Sequence, residues 1–205
     1  MVDVATRARV LPLIAPTLIL LAGGHSKRMG RPKHELPLGG TTLLEWQVAR
    51  LGRFFGDLIV VGAAAPVGAR GVSDRREDGG PLAGIEAGLL AMRSDGRAFV
   101  LACDMPRARP SLGALLWRLS EGHDAAVPRV AGRAQPTCAA YARSAASKLT
   151  AYLDSGERRA TEALEWLDVV FVDDAALLSE GISLTELDDL DTPADYEAFL
   201  AFLRA

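Results

Sequence analysis

The chain has 205 residues, 49% of them hydrophobic, which suits one globular domain with a full-sized core and does not force two. Lys and Arg number 23 against 26 Asp and Glu, a net charge of -3. That balance excludes the general basic footprint of a nucleic-acid-binding protein, and the few aromatic side chains offer no stacking platform for a single strand. Cys103 and Cys138 are far apart, make neither a metal-ligand spacing nor a disulfide framework, and fit a reducing cytoplasm.

At the N-terminus, Arg7 and Arg9 precede an apolar stretch over residues 10–16 with a superficial likeness to a signal peptide. The stretch is too short and too proline-broken for a membrane helix, and cleavage near Ala22 would destroy the glycine turn that follows. Residues 1–16 therefore read as a disordered or vector-derived leader, and residues 17–205 as one domain without linker or repeat.

Residues 17–21 form a buried-strand pattern that runs into Gly23 and Gly24, followed by Lys27, Arg28 and Lys33. Glycines let the backbone turn sharply and approach a bound group. Inward-pointing N–H groups of such a loop cradle phosphate oxygens, and the three cations suit a triphosphate. The loop matches neither the P-loop nor the dinucleotide fingerprint; a tight turn with solvated charges is the bland alternative. Next comes helical periodicity over residues 43–55 with Thr41 or Thr42 as N-cap, then a strand over 57–61. A loop over 72–80 leads to a helix over 81–92 with Pro81 in its first turn.

A third strand over 97–102 ends at Cys103, Asp104, Met105 and Pro106, before a helix over 111–119. Strands over 125–128 and 135–141 flank a turn at Gly132 and read as a small hairpin-like β excursion. Helices over 144–153 and 161–166, a strand over 169–172 and a closing helix over 193–203 complete the chain. Strand–helix alternation predicts an α/β domain with a mainly parallel sheet flanked by helices. Ligands of such sheets bind at the C-terminal strand ends, where the glycine loop, the 72–80 loop and Asp104 all fall.

Asp104 at a strand end beside a triphosphate suits Mg²⁺, which takes hard oxygen ligands and often only one or two carboxylates. The alternative is a cap for the helix near Pro110 or a turn with Pro106. Asp74 lies in a charged loop ahead of Gly79, Gly80 and Gly84, where small residues let a base or ribose approach; a solvated loop explains the same residues. Thr192 and Pro193 look like a helix start, which leaves Asp189 and Asp191 to face a metal, a substrate or water. The three histidines are scattered, and no nucleophilic triad is visible.

With these residues in place the chain resembles the molybdenum cofactor guanylyltransferases, within the larger nucleotidyltransferase group built on a Rossmann-like sheet. The likeness runs from about Thr17 to Leu203. It rests on Leu21, Ala22, Gly23 and Gly24, on Arg28-Met29-Gly30 and Lys33, on the Gly80–Gly84 run and on Cys103-Asp104-Met105-Pro106. Further along come Gln135-Pro136-Thr137-Cys138, Gly156-Glu157-Arg158-Arg159 and Asp191-Thr192-Pro193.

The Ala-Gly-Gly ending, the Pro-Leu-Ala-Gly run and the Gly-Glu-Arg-Arg run point to the guanylyl branch. The cytidylyl branch tends toward an Ala-Ala-Gly loop and an Asp-Gln-Pro turn. The resemblance implies GTP and the molybdopterin cofactor as substrates, with cofactor-delivery and acceptor molybdoenzymes as partners and neither nucleic acid nor membrane. It assigns Leu21, Ala22, Gly23 and Gly24 to the nucleotide, Lys33 to its phosphates, Asp74 to guanosine and Asp104 to nucleotide and Mg²⁺. Arg28, Lys33 and Asp104 are the expected catalytic groups, and Asp189 and Asp191 the expected substrate-binding pair.

Two departures stand out. Relatives often carry Asn after the second strand, where this chain has Val61-Gly62-Ala63-Ala64, so backbone groups would have to replace the amide. Relatives also often have Asn where Asp189 and Asp191 stand. A cytidylyl or sugar-phosphate nucleotidyltransferase, and a non-catalytic nucleotide-binding chaperone, are the competing readings.

Overall fold

The computed structural model describes residues 14–23, 30–74, 76 and 78–204. Among the described residues, ten strands carry the fold: β1 Ile14–Leu21, β2 Pro37–Leu38, β3 Thr41–Thr42, β4 Phe55–Val61, β5 Arg70–Val72, β6 Arg97–Ala102, β7 Ala125–Val130, β8 Arg133–Ala134, β9 Cys138–Ala142 and β10 Val169–Asp173. Among the same residues, seven α-helices join them: α1 Leu43–Leu51, α2 Gly80–Leu90, α3 Pro110–Leu119, α4 Ala145–Asp154, α5 Ala160–Ala163, α6 Asp174–Ser179 and α7 Pro193–Arg204. The main sheet has the order β10-β7-β9-β6-β1-β4-β5, with β8 paired to β7 and β2–β3 a separate hairpin.

The α/β expectation holds. β1, β4, β5 and β6 run parallel, as do β7 and β10. Both faces of β1 are covered: Leu18 and Leu20 pack with Val48, Phe99 and Phe199 on one side, and Ile19 and Leu21 with Leu82, Ile85 and Leu149 on the other. Burial on both faces accounts for the unbroken apolar run that marks this strand in the sequence. α2 comes close because it lacks a side chain where it crosses β1: a Cβ on Gly88 would lie 2.5 Å from Ile19 Cγ2, and one on Gly84 3.2 Å from Leu21 Cδ2.

Several boundaries move. β1 begins at Ile14, with a register shift before Thr17. α1 stops at Leu51, and Phe55 belongs to β4, where its ring stacks on Phe99 at 6.3 Å; sheet packing overrides the helical period there. The start of α1 is as read, with Thr42 and Glu45 forming a capping box. The expected hairpin is split. β8 alone turns back on β7, through Ala131 and Gly132 at positive φ, whereas β9 enters the main sheet antiparallel between β6 and β7. The short β5, the β2–β3 hairpin and α6 carry too little periodicity to stand out beforehand. No described helix is long and apolar enough to cross a membrane.

The register lines up the strand ends. Val61 pairs with Leu21 and with Val72, and Leu21 with Ala102, so the residues after each of these strands emerge in one row. Gly62 takes φ 88°, and a Cβ there would lie 2.7 Å from Gly23 Cα and N. Gly62→Ala should therefore destabilise the protein by at least ~1–2 kcal/mol, the cost of a left-handed non-glycine residue, in a urea melt. Wild-type stability would mean that the two turns separate freely.

Candidate active site

The row of strand ends forms one edge of a cleft of about 1060 Å³. Ala22 and Gly23, after β1, and Gly62, after β4, make its floor. Asp74, Arg76 and Asp78 stand on one side with the start of α2. Lys33, Asp104, Asp189 and Asp191 stand on the other. The expected site residues that are described thus converge on one cleft, although they come from opposite ends of the chain. Gly24 and Arg28 lie outside the described residues, as does Lys27.

Lys33 sits on a short 3₁₀ turn over Lys33–Glu35. Its Nζ donates to Asp104 Oδ2 and to Asp191 Oδ1, each at 2.7 Å. Burial by itself would lower its pKa; hydrogen bonds to the two carboxylates and their charges reverse that and raise it. Lys33 is therefore charged at neutral pH. Asp104 does not cap the next helix, whose N-cap is Arg109.

The C-terminal segment reaches the site through a set of anchors. Leu190 N–H donates to the Asp104 carbonyl at 2.8 Å. Buried Glu186 receives the Arg109 N–H at 2.9 Å and its guanidinium, and Asp188 pairs with Arg107 at 3.1 Å. Thr192 does cap α7: its Oγ1 accepts from Asp195 N–H at 3.2 Å. Asp189 keeps an exposed surface at the cleft mouth. Partial desolvation there, then the charges of Asp104 and Asp191, push its pKa up to about 6, against the pull of Lys33.

On the other side, Asp74 Oδ1 accepts from Arg76 N–H at 3.0 Å in a two-residue turn, and its carboxylate is exposed to the cleft. Arg76 is tied down by buried Glu86 of α2, at 2.9 and 3.1 Å, and by Asp154 of α4 at 2.8 Å. The charged loop is thus not simply solvated; its arginine is anchored under it. The missing amide after β4 is not replaced by the Gly62 N–H, which points to the Val72 carbonyl at 3.3 Å. Sequence reasoning missed Gly62, and also Gln47 and Arg50 of α1, which hold the Asp104 turn. Gln47 falls within the helix's apolar spacing, so nothing in the pattern marked it.

Asp104 and Asp191 direct oxygens at one point, the place now taken by the Lys33 ammonium. No group of three His, Cys, Asp or Glu residues among those described could enclose a metal by itself. A hard divalent ion that draws its remaining ligands from phosphate and water fits this donor set. Neither thiol suits a nucleophile: burial, then the Asp104 charge, pushes Cys103 up to about 12, and burial raises Cys138 as well.

An open sheet with a cleft at its strand ends is common to many α/β proteins, and similarity to known proteins narrows it to the nucleotidyltransferases. Molybdopterin-guanine dinucleotide biosynthesis protein A from Archaeoglobus fulgidus superposes with a TM-score of 0.79 at 27% identity, over 92% of this chain and 98% of that one. A probable molybdenum cofactor guanylyltransferase from Pelotomaculum thermopropionicum is 36% identical over 64% of this chain and 65% of its own length. One of the same description from Methanosarcina acetivorans is 33% identical over 89% of this chain and 88% of its own. The MobA-like NTP transferase domain profile matches residues 18–169. The chain is an enzyme of the nucleotidyltransferase class and belongs to the MobA-like NTP transferase domain family.

Crowded carboxylates have a consequence for stability. The Asp189 pKa is about 6 in the folded protein and 3.8 as the ordinary value, so the folded state holds this proton more tightly. Stability is therefore lost as pH rises from the lower value through the upper, and the loss is complete above both. Asp189→Asn removes it. Thermal unfolding should give the variant a higher Tm than wild type at pH 7 and an equal one at pH 3.5. A variant less stable at pH 7 would show that the Asp189 charge is favourable.

Proposed function

We propose that the protein transfers GMP from GTP to the terminal phosphate of the molybdopterin-bound molybdenum cofactor, giving the guanine dinucleotide cofactor and pyrophosphate. The observation that carries this reading is the convergence of Lys33, Asp104 and Asp191 on one point of the cleft whose floor holds the closely packed Gly23 and Gly62. The relatives' names support the guanylyl branch.

An oxygen of the acceptor phosphate attacks the α-phosphorus of GTP in line. The bond from that phosphorus to the bridging oxygen breaks, and the electron pair leaves with pyrophosphate. The acceptor phosphate is ionised at neutral pH, so no general base and no side-chain nucleophile are required. Catalysis is charge neutralisation and positioning of two anions that otherwise repel.

Gly23 permits close approach of the phosphates. Lys33 brings a permanent positive charge, and Arg28 a second. Asp104, with Asp191 beside it, would hold Mg²⁺, which when bound offsets phosphate charge. Asp74 accepts from the N1–H and N2 amine of guanine, a donor pair that adenine and cytosine lack. Asp189 and Asp191 lie at the acceptor end, where carboxylates suit the N–H donors of a pterin.

Pure protein given molybdopterin, Mg²⁺ and GTP should release pyrophosphate, and CTP or ATP should substitute poorly in turnover and in calorimetry. Asp104→Ala should abolish turnover with the fold intact. Preference for CTP would move the enzyme to the cytidylyl branch, and an active Asp104→Ala would remove the metal assignment.

The Lys33 assignment has its own test. Lys33→Ala should weaken GTP by roughly 1.5–3 kcal/mol, the range for hydrogen bonds to charged groups, and GMP by less, since GMP lacks the outer phosphates. Equal losses in a side-by-side titration would mean that Lys33 only supports the Asp104–Asp191 arrangement.

A further inference from the structure

The turn that carries Asp104 is held from outside itself. The Cys103 carbonyl accepts from Gln47 Nε2 at 2.6 Å. The Pro106 and Ala108 carbonyls accept from Arg50 Nη2 at 2.9 and 2.7 Å. Gln47 and Arg50 are three residues apart and so share one face of α1. Three carbonyls around Asp104 are thus pinned by two side chains of one helix.

These side chains are poor choices for stability alone. Gln47 is fully buried on the helix face that also buries Leu43, Leu44, Val48 and Leu51. Its Oε1, and Nε of Arg50, are buried without a hydrogen-bond partner among the described residues. A buried polar atom left unpaired costs stability, so neither side chain is fully satisfied where it lies. Burial, the largest effect, also lowers the Arg50 pKa to about 10, which leaves the guanidinium charged at neutral pH. Bonds that come at such a cost and all converge on one turn are explained by what the turn must do.

We propose that Gln47 and Arg50 are positioning residues for nucleotidyl transfer: from α1 they set the Cys103–Ala108 turn so that Asp104 keeps its carboxylate in place for the divalent cation. This rests on the role given to Asp104 under Proposed function. Metal–ligand distances tolerate only about 0.2 Å, so a loosened turn loses metal affinity before it loses the fold.

The test is Mn²⁺ binding to the protein–GTP complex, followed by electron paramagnetic resonance, beside calorimetry of GTP in EDTA and a thermal melt. Gln47→Leu removes the unpaired Oε1 but also leaves the Cys103 carbonyl without its donor, so it should change Tm little, leave metal-free GTP binding unchanged and weaken Mn²⁺ about tenfold or more, the usual cost of removing a group that orients a metal ligand. Wild-type Mn²⁺ affinity, or equal losses with and without metal, would overturn the proposal. Asp104→Asn separates the two readings. If it leaves Mn²⁺ binding intact, the assignment of Asp104 fails as well; if it abolishes binding while Gln47→Leu has no effect, only the positioning role falls. Should Gln47→Leu not fold, Arg50→Met, which keeps the apolar stem but removes the Nη2 donor of both bonds, is read by the same criteria.

Discussion

A single ammonium group joins the parts of the chain that make the cleft. Lys33 follows the glycine loop, Asp104 follows β6, and Asp191 lies just before the last helix; its two 2.7 Å contacts span 71 and 158 residues. Among the described side chains, Lys33 is the cation that bridges Asp104 and Asp191 and offsets their repulsion. Burial first, and then the charges of Asp104 and Asp191, still raise the Asp189 pKa. Arg76 gives little relief, because Glu86 and Asp154 already hold it. Under the proposed function, a polyphosphate entering this cleft would need cations besides Lys33, and a divalent ion is one such source.

The floor of the cleft depends on a different constraint, the absence of side chains. Register carries Leu21, Val61, Val72 and Ala102 to one edge, and Gly62 then lies so close to the Gly23 backbone that a Cβ on Gly62 would not fit. The same device works one layer out, where Gly84 and Gly88 let α2 lie against β1. Close backbone packing leaves the floor of the cleft at the strand ends lined by main chain.

Around this floor the protein holds polar side chains that are buried or half-buried. Glu86 lies in an otherwise apolar stretch of α2 and holds Arg76. Glu186 holds Arg109 and the C-terminal segment. Gln47 and Arg50 hold the turn of Asp104. Each anchors a loop that borders the cleft, and each carries a desolvation cost that a purely structural core avoids. Of the buried polar residues, Gln47, Glu86 and Glu186 thus serve the site, whereas Thr17 and Ser120 do not.

Much of this was legible in the amino-acid sequence. The apolar run of β1, the capping box at Thr42 and the strand before Cys103 are local patterns, set by periodicity and cap chemistry, and they led to the fold class and to the cleft edge. Gly23, Lys33, Asp74 and Asp104 were recognisable because each follows a strand or opens a helix in a parallel α/β sheet. What the sequence left open depended on contacts between distant residues. Asp74 reads equally as a solvated loop until Arg76 is seen anchored to Glu86. β9 reads as half of a hairpin until β6 and β7 take it up between them. Gln47 has the spacing of a core residue, and only the carbonyl of Cys103, 56 positions away, gives its amide a purpose. Asp189 and Asp191 were visible as acidic residues without a task; the Leu190 bond to Asp104 and the Lys33 bridge decided that they face the cleft, because charge pairing at that range exists only once the chain has folded.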